Sequence, residues 1–305
     1  MRESFQDDIK DSNALEVDAV EDKLIETFLA LALKLPLDDF KPMFYRLFNS
    51  SMNDDPSAGA KYVDGLTSVF RITGAIARRL KSLFGFVAEN VVQQATKILN
   101  TFSKDTFAIC EQIMKAEGEN FARNDSANEK DLVVLVTSIF DAISAIFSFN
   151  RLDDSEGSPN SGGQIQLQMK AYEDHVNAIL NYFEAPFNEA KKEDDQFVET
   201  MYDTMEVCVG HLASSTDDET QWKYLNYQVL LYVRHNSYKI RLRVLQIVSI
   251  FLDKKGENYL AVLPDSVPLM AEALEDDDPR VEKECKKLLK KMEEIFGHSV
   301  ENYFE

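Results

Sequence analysis

Cysteine, proline and glycine are scarce, at 3, 8 and 11 of 305 residues. Cys110, Cys208 and Cys285 stand far apart with no paired spacing, which argues against a disulfide framework or a zinc site and makes a reducing compartment the simpler setting. So little turn punctuation argues against a loop-rich or β-rich chain of this size. No segment joins strict alternation to β-branched enrichment, so the expected fold is all-α. Positive charge is short as well: 33 Lys and Arg stand against 53 Asp and Glu, a net charge of −20. Phosphate binding is driven by cations that displace counterions, so this balance argues against a surface that grips nucleic acid along its length and leaves room only for a local basic patch. The opening MRESFQDDIKDSN is acidic and has no apolar core segment, so no signal peptide is expected.

Long apolar runs are nearly absent too. The one exception, Asp131 to Phe149, would carry Asp141 at its centre if it crossed a bilayer, an expensive position in hydrocarbon, and it is read as a buried core helix. The four histidines are scattered. Cys208 and His211 have a C-x-x-H spacing without a second half-site, which points to packed helix residues rather than zinc ligands. There is no GxxxxGK[ST] phosphate loop, and Gly162–Gly163 fall in a polar stretch. Carboxylates are so frequent that a chance pair carries no information about acid–base chemistry. No catalytic residue, metal, cofactor, small-molecule substrate or membrane contact is expected, and the chain reads as a non-enzyme.

What is present is helical periodicity. Residues 1–18 are polar and acidic and read as a disordered tail. Residues 19–150 hold a first set of helices: Glu21 to Leu35, a segment packing Phe40, Met43, Phe44, Leu47 and Phe48, a long amphipathic helix from Ala60 to Leu80, and LFGFVAENVVQQATKILNTF. The polar stretch KAEGENFARNDSANEK is expected as a mobile loop. Residues 151–163, rich in Asp, Ser, Gly and Pro, read as a flexible linker, and residues 164–305 hold a second set of helices.

The clearest organisation lies between Trp222 and Phe304. The turn Arg234–Ser237 before Ile240–Arg241 is answered about 41 residues later by Asp276–Pro279 before Val281–Glu282, inside the spacing range of HEAT and armadillo repeats. In the second unit Pro264 and Pro268 are placed at a helix start, and Pro279 opens the next helix, with Val281, Cys285, Leu288, Leu289, Met292 and Phe296 on its stripe. In the first, Ile240, Val244, Ile247 and Phe251 form one stripe and Leu245, Val248 and Leu252 another, an apolar arc too wide for a single partner. Such helix pairs must stack, which predicts an α-solenoid of HEAT-like antiparallel pairs. HEAT turns carry an Asp followed five and six residues on by Val and Arg. The second unit keeps Asp276 and Val281, the first keeps Ile240 and Arg241, and Asp276 is expected to pair with Arg241 across the repeat boundary.

Two basic clusters interrupt the acidic background: Arg71, Arg78, Arg79 and Lys81, and Arg234, Lys239, Arg241 and Arg243. One reading makes them solvated faces and intramolecular ladders. The other makes Arg78, Arg79, Arg234, Lys239 and Arg243 contacts for a partner or for RNA phosphate. Lys283, Lys286, Lys287, Lys290 and Lys291 alternate with glutamates and read as an ion-paired face.

The strings WKYLNYQVLLYVRHNSYKIRLRVLQIV, ENYLAVLPDSVPLMAEALEDDDP, DDFKPMFYRLFN and IARRLKSLFGFVAENVV resemble the C-terminal region of the HEAT repeat-containing protein 1 family. The most specific parts are Trp222–Gln228, Asn258–Pro268 and the terminal Tyr303–Phe304. That family consists of nucleolar scaffolds of the small-subunit processome. The resemblance implies a non-catalytic α-solenoid, partners among other processome proteins with pre-ribosomal or small nucleolar RNA as a further one, a nuclear and nucleolar location, and a chain several times longer than this one. The repeat pattern alone also admits a generic HEAT adaptor of the transport or phosphatase kind, or a HEAT-like DNA glycosylase. The net charge and the single Trp222 count against the glycosylase.

Overall fold

A computed structural model describes residues 19–52, 60–116, 125–149, 165–184 and 196–300. Among them every regular element is helical. The order is α1 (19–32), α2 (Leu37–Met52), α3 (Ala60–Leu80), α4 (Gly85–Ala116), α5 (Asp125–Ser148), α6 (Met169–Leu180), α7 (Gln196–Ser215), α8 (Glu219–Leu230), α9 (Tyr238–Lys255), α10 (Leu263–Leu274) and α11 (Pro279–Phe296). Short 3-10 segments, Lys81–Phe84 and Gly256–Ala261, lead into α4 and α10.

The helices sort into two layers by parity. Along one layer α3 packs on α5, α5 on α7, α7 on α9 and α9 on α11; along the other α4 packs on α6, α6 on α8 and α8 on α10. Sequential pairs such as α8 with α9 and α10 with α11 join the layers. Each inner helix therefore meets neighbours on both sides within its layer and a partner across, which is why α9 buries Ile240, Val244, Leu245, Ile247, Val248, Phe251 and Leu252 together. This is the stacked-pair α-solenoid expected from the repeat spacing.

Helix α5 holds the longest apolar stretch among the described residues, Lys130–Ser148; it lies between α3 and α7, and that stretch is 72% buried within the protein, as a core helix requires. Two glycines set the close approaches in this layer. A Cβ on Gly74 of α3 would stand 3.3 Å from Ala142 Cα of α5, and one on Gly210 of α7 would stand 2.6 Å from Ile250 Cγ2 of α9. In the other layer, Tyr182 donates to the Leu99 carbonyl (3.1 Å) and Tyr224 to Asn177 Oδ1 (3.0 Å), while Tyr202 of α7 donates across the layers to the Tyr182 carbonyl (3.2 Å).

Several expectations shift in detail. Part of the stretch expected as a loop is helical: α4 runs to Ala116 and α5 starts at Asp125, with residues 117–124 outside the described set. The first helix stops at 32, before the Pro36 turn, rather than at Leu35. Pro264 does open α10, but Pro268 lies inside it. The helix forgoes the backbone bond of the missing N–H there and continues through Pro268 to Leu274. The acidic tail 1–18, the linker 151–163 and the terminal Tyr303–Phe304 lie outside the described residues.

Candidate interaction surface

The five candidate contact residues do not share one surface. Arg78 sits near the end of α3 and forks onto Asp141 of α5, with three contacts of 2.9 Å. Arg234, ending the 3-10 turn after α8, forks onto Glu272 of α10 at 2.7 and 2.6 Å. Arg243 on α9 reaches across to α7, where Asp203 (3.0 Å), Glu199 and Glu206 all accept from it, and its guanidinium lies 5.1 Å from the Tyr202 ring centroid. Burial outweighs that guanidinium's pull on Glu206 and leaves the carboxyl above its ordinary range, helped by the neighbouring Asp203 and Glu199. Lys239 lies half-buried in the first turn of α9. Arg79 is exposed, and among the described residues no carboxylate pairs with it.

Three of the five thus join one helix to the next helix of the same layer or to its counterpart in the adjoining repeat. An arginine fork that satisfies two carboxylate oxygens fixes both distance and angle, so these contacts set the step between repeats.

The ladder pair expected from the turns is present. Arg241 of α9 donates to both oxygens of Asp276, at 2.6 and 2.8 Å, and its remaining nitrogen donates to the carbonyls of His235 (2.8 Å) and Asn236 (3.0 Å). Burial by itself would raise Asp276, but the Arg241 fork and the Asp278 amide outweigh it and hold the carboxyl below its ordinary value. Next to it Asp278 caps α11 by accepting from the Arg280 amide, and the Arg280 guanidinium beside it lowers its carboxyl to about 2.

A second junction was not foreseen as a unit. Tyr259 donates to Asn226 Oδ1 (2.9 Å), Asn226 Nδ2 donates to Ser266 Oγ (2.8 Å), and Ser266 donates to the Val262 carbonyl (2.8 Å), all three residues being buried. Trp222 stands edge-on to both Phe251 and Tyr259. Asn226 and Trp222 belong to the string Trp222–Gln228, and Tyr259 and Ser266 to the string Asn258–Pro268. Two of the three most specific strings are therefore the two halves of one polar lock inside the stack. The signal was available: an Asn and a Ser at otherwise apolar positions must find each other or leave buried groups unpaired.

Other polar groups in the core are structural. The fully buried His175 holds Thr96 at 2.8 Å through Nδ1. The Thr96 hydroxyl donates to the Val92 carbonyl, so the proton between them belongs to the imidazole and Nε2 carries none. Burial lowers this histidine to about 4. His211 is partnered by Ser144 at 2.8 Å, and Cys208 is buried beneath its helix with its thiol pushed well up by desolvation. Among the described residues no three His, Cys, Asp or Glu side chains are grouped as a metal would need.

A two-layer helical stack whose polar groups are spent on joining its own repeats defines a repeat protein of the α-solenoid class. The chain belongs to the BP28CT (NUC211) domain family, whose profile matches residues 1–153. Over 290 residues it is 27% identical to HEAT repeat-containing protein 1 of Homo sapiens, covering 95% of this chain and 12% of that protein. It is likewise 27% identical to the HEAT repeat-containing protein 1 homolog of Drosophila melanogaster, covering 94% of this chain and 12% of the relative. U3 small nucleolar RNA-associated protein 10 of Schizosaccharomyces pombe is 25% identical over 94% of this chain and 14% of its own length. The chain thus spans between 12 and 14% of the length of these three relatives.

Proposed function

We propose that this chain is a non-catalytic helical scaffold of the nucleolar small-subunit processome, holding other assembly factors in place while pre-ribosomal RNA is transcribed and processed. The observation that carries the reading is similarity along nearly the whole stack, rather than over one motif, to proteins named as U3 small nucleolar RNA-associated. The physical construction supports it. A solenoid presents a large surface for its mass, and here Arg78, Arg234 and Arg243 tie neighbouring helices of that surface to one another.

The net charge of −20 favours recruitment through protein contacts over a general grip on RNA. The test is a tagged copy of this chain expressed in nucleolated cells, with recovery of U3 RNA measured against an unrelated small nucleolar RNA and neighbours named by crosslinking mass spectrometry. U3 enrichment with crosslinks to processome proteins is the expected result. Recovery of the two RNAs at equal levels, with crosslinks only to transport or phosphatase factors, would replace this reading with that of a generic adaptor.

A further inference from the structure

Exposed apolar side chains are unevenly placed. Of the nine large ones among the described residues, six lie between residues 20 and 83: Val20, Leu24, Leu31, Leu33, Leu37 and Leu83. Two of these belong to a patch with a cationic rim. Leu37 (50% exposed) and Lys41 stand one turn apart on α2, and the Lys41 ammonium lies 5.8 Å from the ring centroid of half-buried Phe86 at the start of α4. Leu83 (58% exposed) precedes Phe86 by three residues in the 3-10 turn that joins α3 to α4. The same turn carries exposed Lys81 and follows exposed Arg79.

Lys41, Arg79 and Lys81 differ from the arginine staples in that no carboxylate among the described residues pairs with them. Lys81 has a φ of 54°, the only positive value at a non-glycine residue among those described. An L side chain rarely adopts that conformation, and the surrounding packing holds it there with the Lys81 ammonium 5.7 Å from the Phe149 ring centroid.

We infer that this patch, Leu37, Lys41, Phe86, Leu83, Lys81 and Arg79, docks a short acidic segment of a partner protein that carries one or two large apolar side chains. The inference rests on the scaffold reading and gives that scaffold one contact point. Charge complementarity selects the occupant: Lys41, Arg79 and Lys81 meet no carboxylate among the described residues and outnumber the exposed Asp38 and Asp39 beside Leu37, in a chain that is otherwise strongly acidic, so an acidic segment is attracted here and repelled elsewhere. Leu83 and Leu37 supply the apolar contact that phosphate alone would not need. RNA is the weaker fit, because the face of Phe86 is taken by Lys41 and offers no platform on which a base could stack.

The test is panning of a random twelve-residue peptide library displayed on phage against the folded chain. The enriched peptides are then bound to the Arg79→Glu/Leu83→Ser double variant, whose helical content and melting are checked by circular dichroism. Enrichment of acidic peptides with a Leu, Phe or Trp anchor, and at least a tenfold loss of binding on the double variant, is the expected result. Should that variant misfold, Leu37→Ser/Lys41→Glu takes its place with the same expectation. Peptides that bind wild type and variant equally would overturn the site while leaving the scaffold reading standing, and a failure to enrich acidic sequences would overturn the inference itself. A twelve-nucleotide oligouridylate that binds tightly and is weakened by Arg79→Glu but not by Leu83→Ser would make the patch an RNA contact and likewise overturn it.

Discussion

Between α2 and the start of α4, repeats are held by aromatic rings. Phe44 lies 5.7 Å from Phe48 in a stacked arrangement and 5.4 Å from Phe84 edge-on, while Phe48 meets Phe70 edge-on and Phe40 meets Phe86 likewise. Between α8 and α11, by contrast, the joining groups have direction: the Arg241–Asp276 fork, the Tyr259–Asn226–Ser266 lock and the Arg234–Glu272 pair. Both arrangements close the same gap between helix pairs. They differ in what they demand of the sequence. A ring packs against any ring of suitable volume, whereas a fork or a three-residue lock works only at one spacing.

That difference explains which parts of the molecule could be read in advance. The turn spacing of about 41 residues, the two stripes of α9 and the Arg241–Asp276 pair were legible because directional contacts leave a periodic trace. In the aromatic region the apolar face of α2 was legible as Phe40, Phe44 and Phe48, but its partners Phe84 and Phe86 were not, since nothing in LFGFV says which helix each ring meets. The basic residues show the same limit. Sequence gives their charge but not their distance from a carboxylate, so the carboxylates that Arg78, Arg234 and Arg243 meet could be named only from the geometry. The amphipathic patch around Leu83 was invisible for a related reason: its members come from four elements and acquire meaning only when α2 and the α3–α4 turn are brought together.

The largest effect is expected where the aromatic cohesion is densest. Phe44 is fully buried and touches rings on α2 and in the 3-10 turn before α4, so Phe44→Ala should cost about 4 kcal/mol through lost burial and the cavity left behind. Urea unfolding followed by circular dichroism reads this directly. A loss under about 1 kcal/mol would mean the region collapses around the gap and the rings are interchangeable filling.

Acid should act through His175, which lies between the two regions. Its unfolded value is 6.5 and its folded value about 4, so the unfolded chain binds the proton more readily, and stability present above about pH 6.5 is lost as the pH falls toward 4. Between pH 7 and pH 5 this one group removes about 2 kcal/mol. Asp64, Asp131 and Glu206 are raised by burial and act in the opposite sense over the lower part of that window, so the comparison is between wild type and His175→Gln, which should show a flatter dependence on pH. Identical slopes for the two proteins would remove His175 as the cause.

The directional joints are expected to rank next. Arg241 and Asp276 are 14% and 8% exposed, so Asp276→Ala leaves a largely buried guanidinium with only its two carbonyl acceptors and should cost about 2 kcal/mol. Replacing both partners, as in Arg241→Met/Asp276→Ala, should recover part of that loss, because no charge is then left unpaired. A double variant as unstable as the sum of the singles would show that the pair contributes no coupling.

The smallest effect sharpens the comparison most, because it holds geometry fixed and varies only burial. Arg78 forks onto Asp141 at 2.9 Å much as Arg241 forks onto Asp276, yet Arg78 and Asp141 are 48% and 43% exposed. Water and salt screen such a pair, so Arg78→Ala should cost less than about 1 kcal/mol in urea unfolding and less still at high salt. If it instead matched Asp276→Ala, fork geometry rather than burial would decide what a repeat joint contributes. The exposed arginines would then contribute as much to the stability of the stack as the buried Arg241 does.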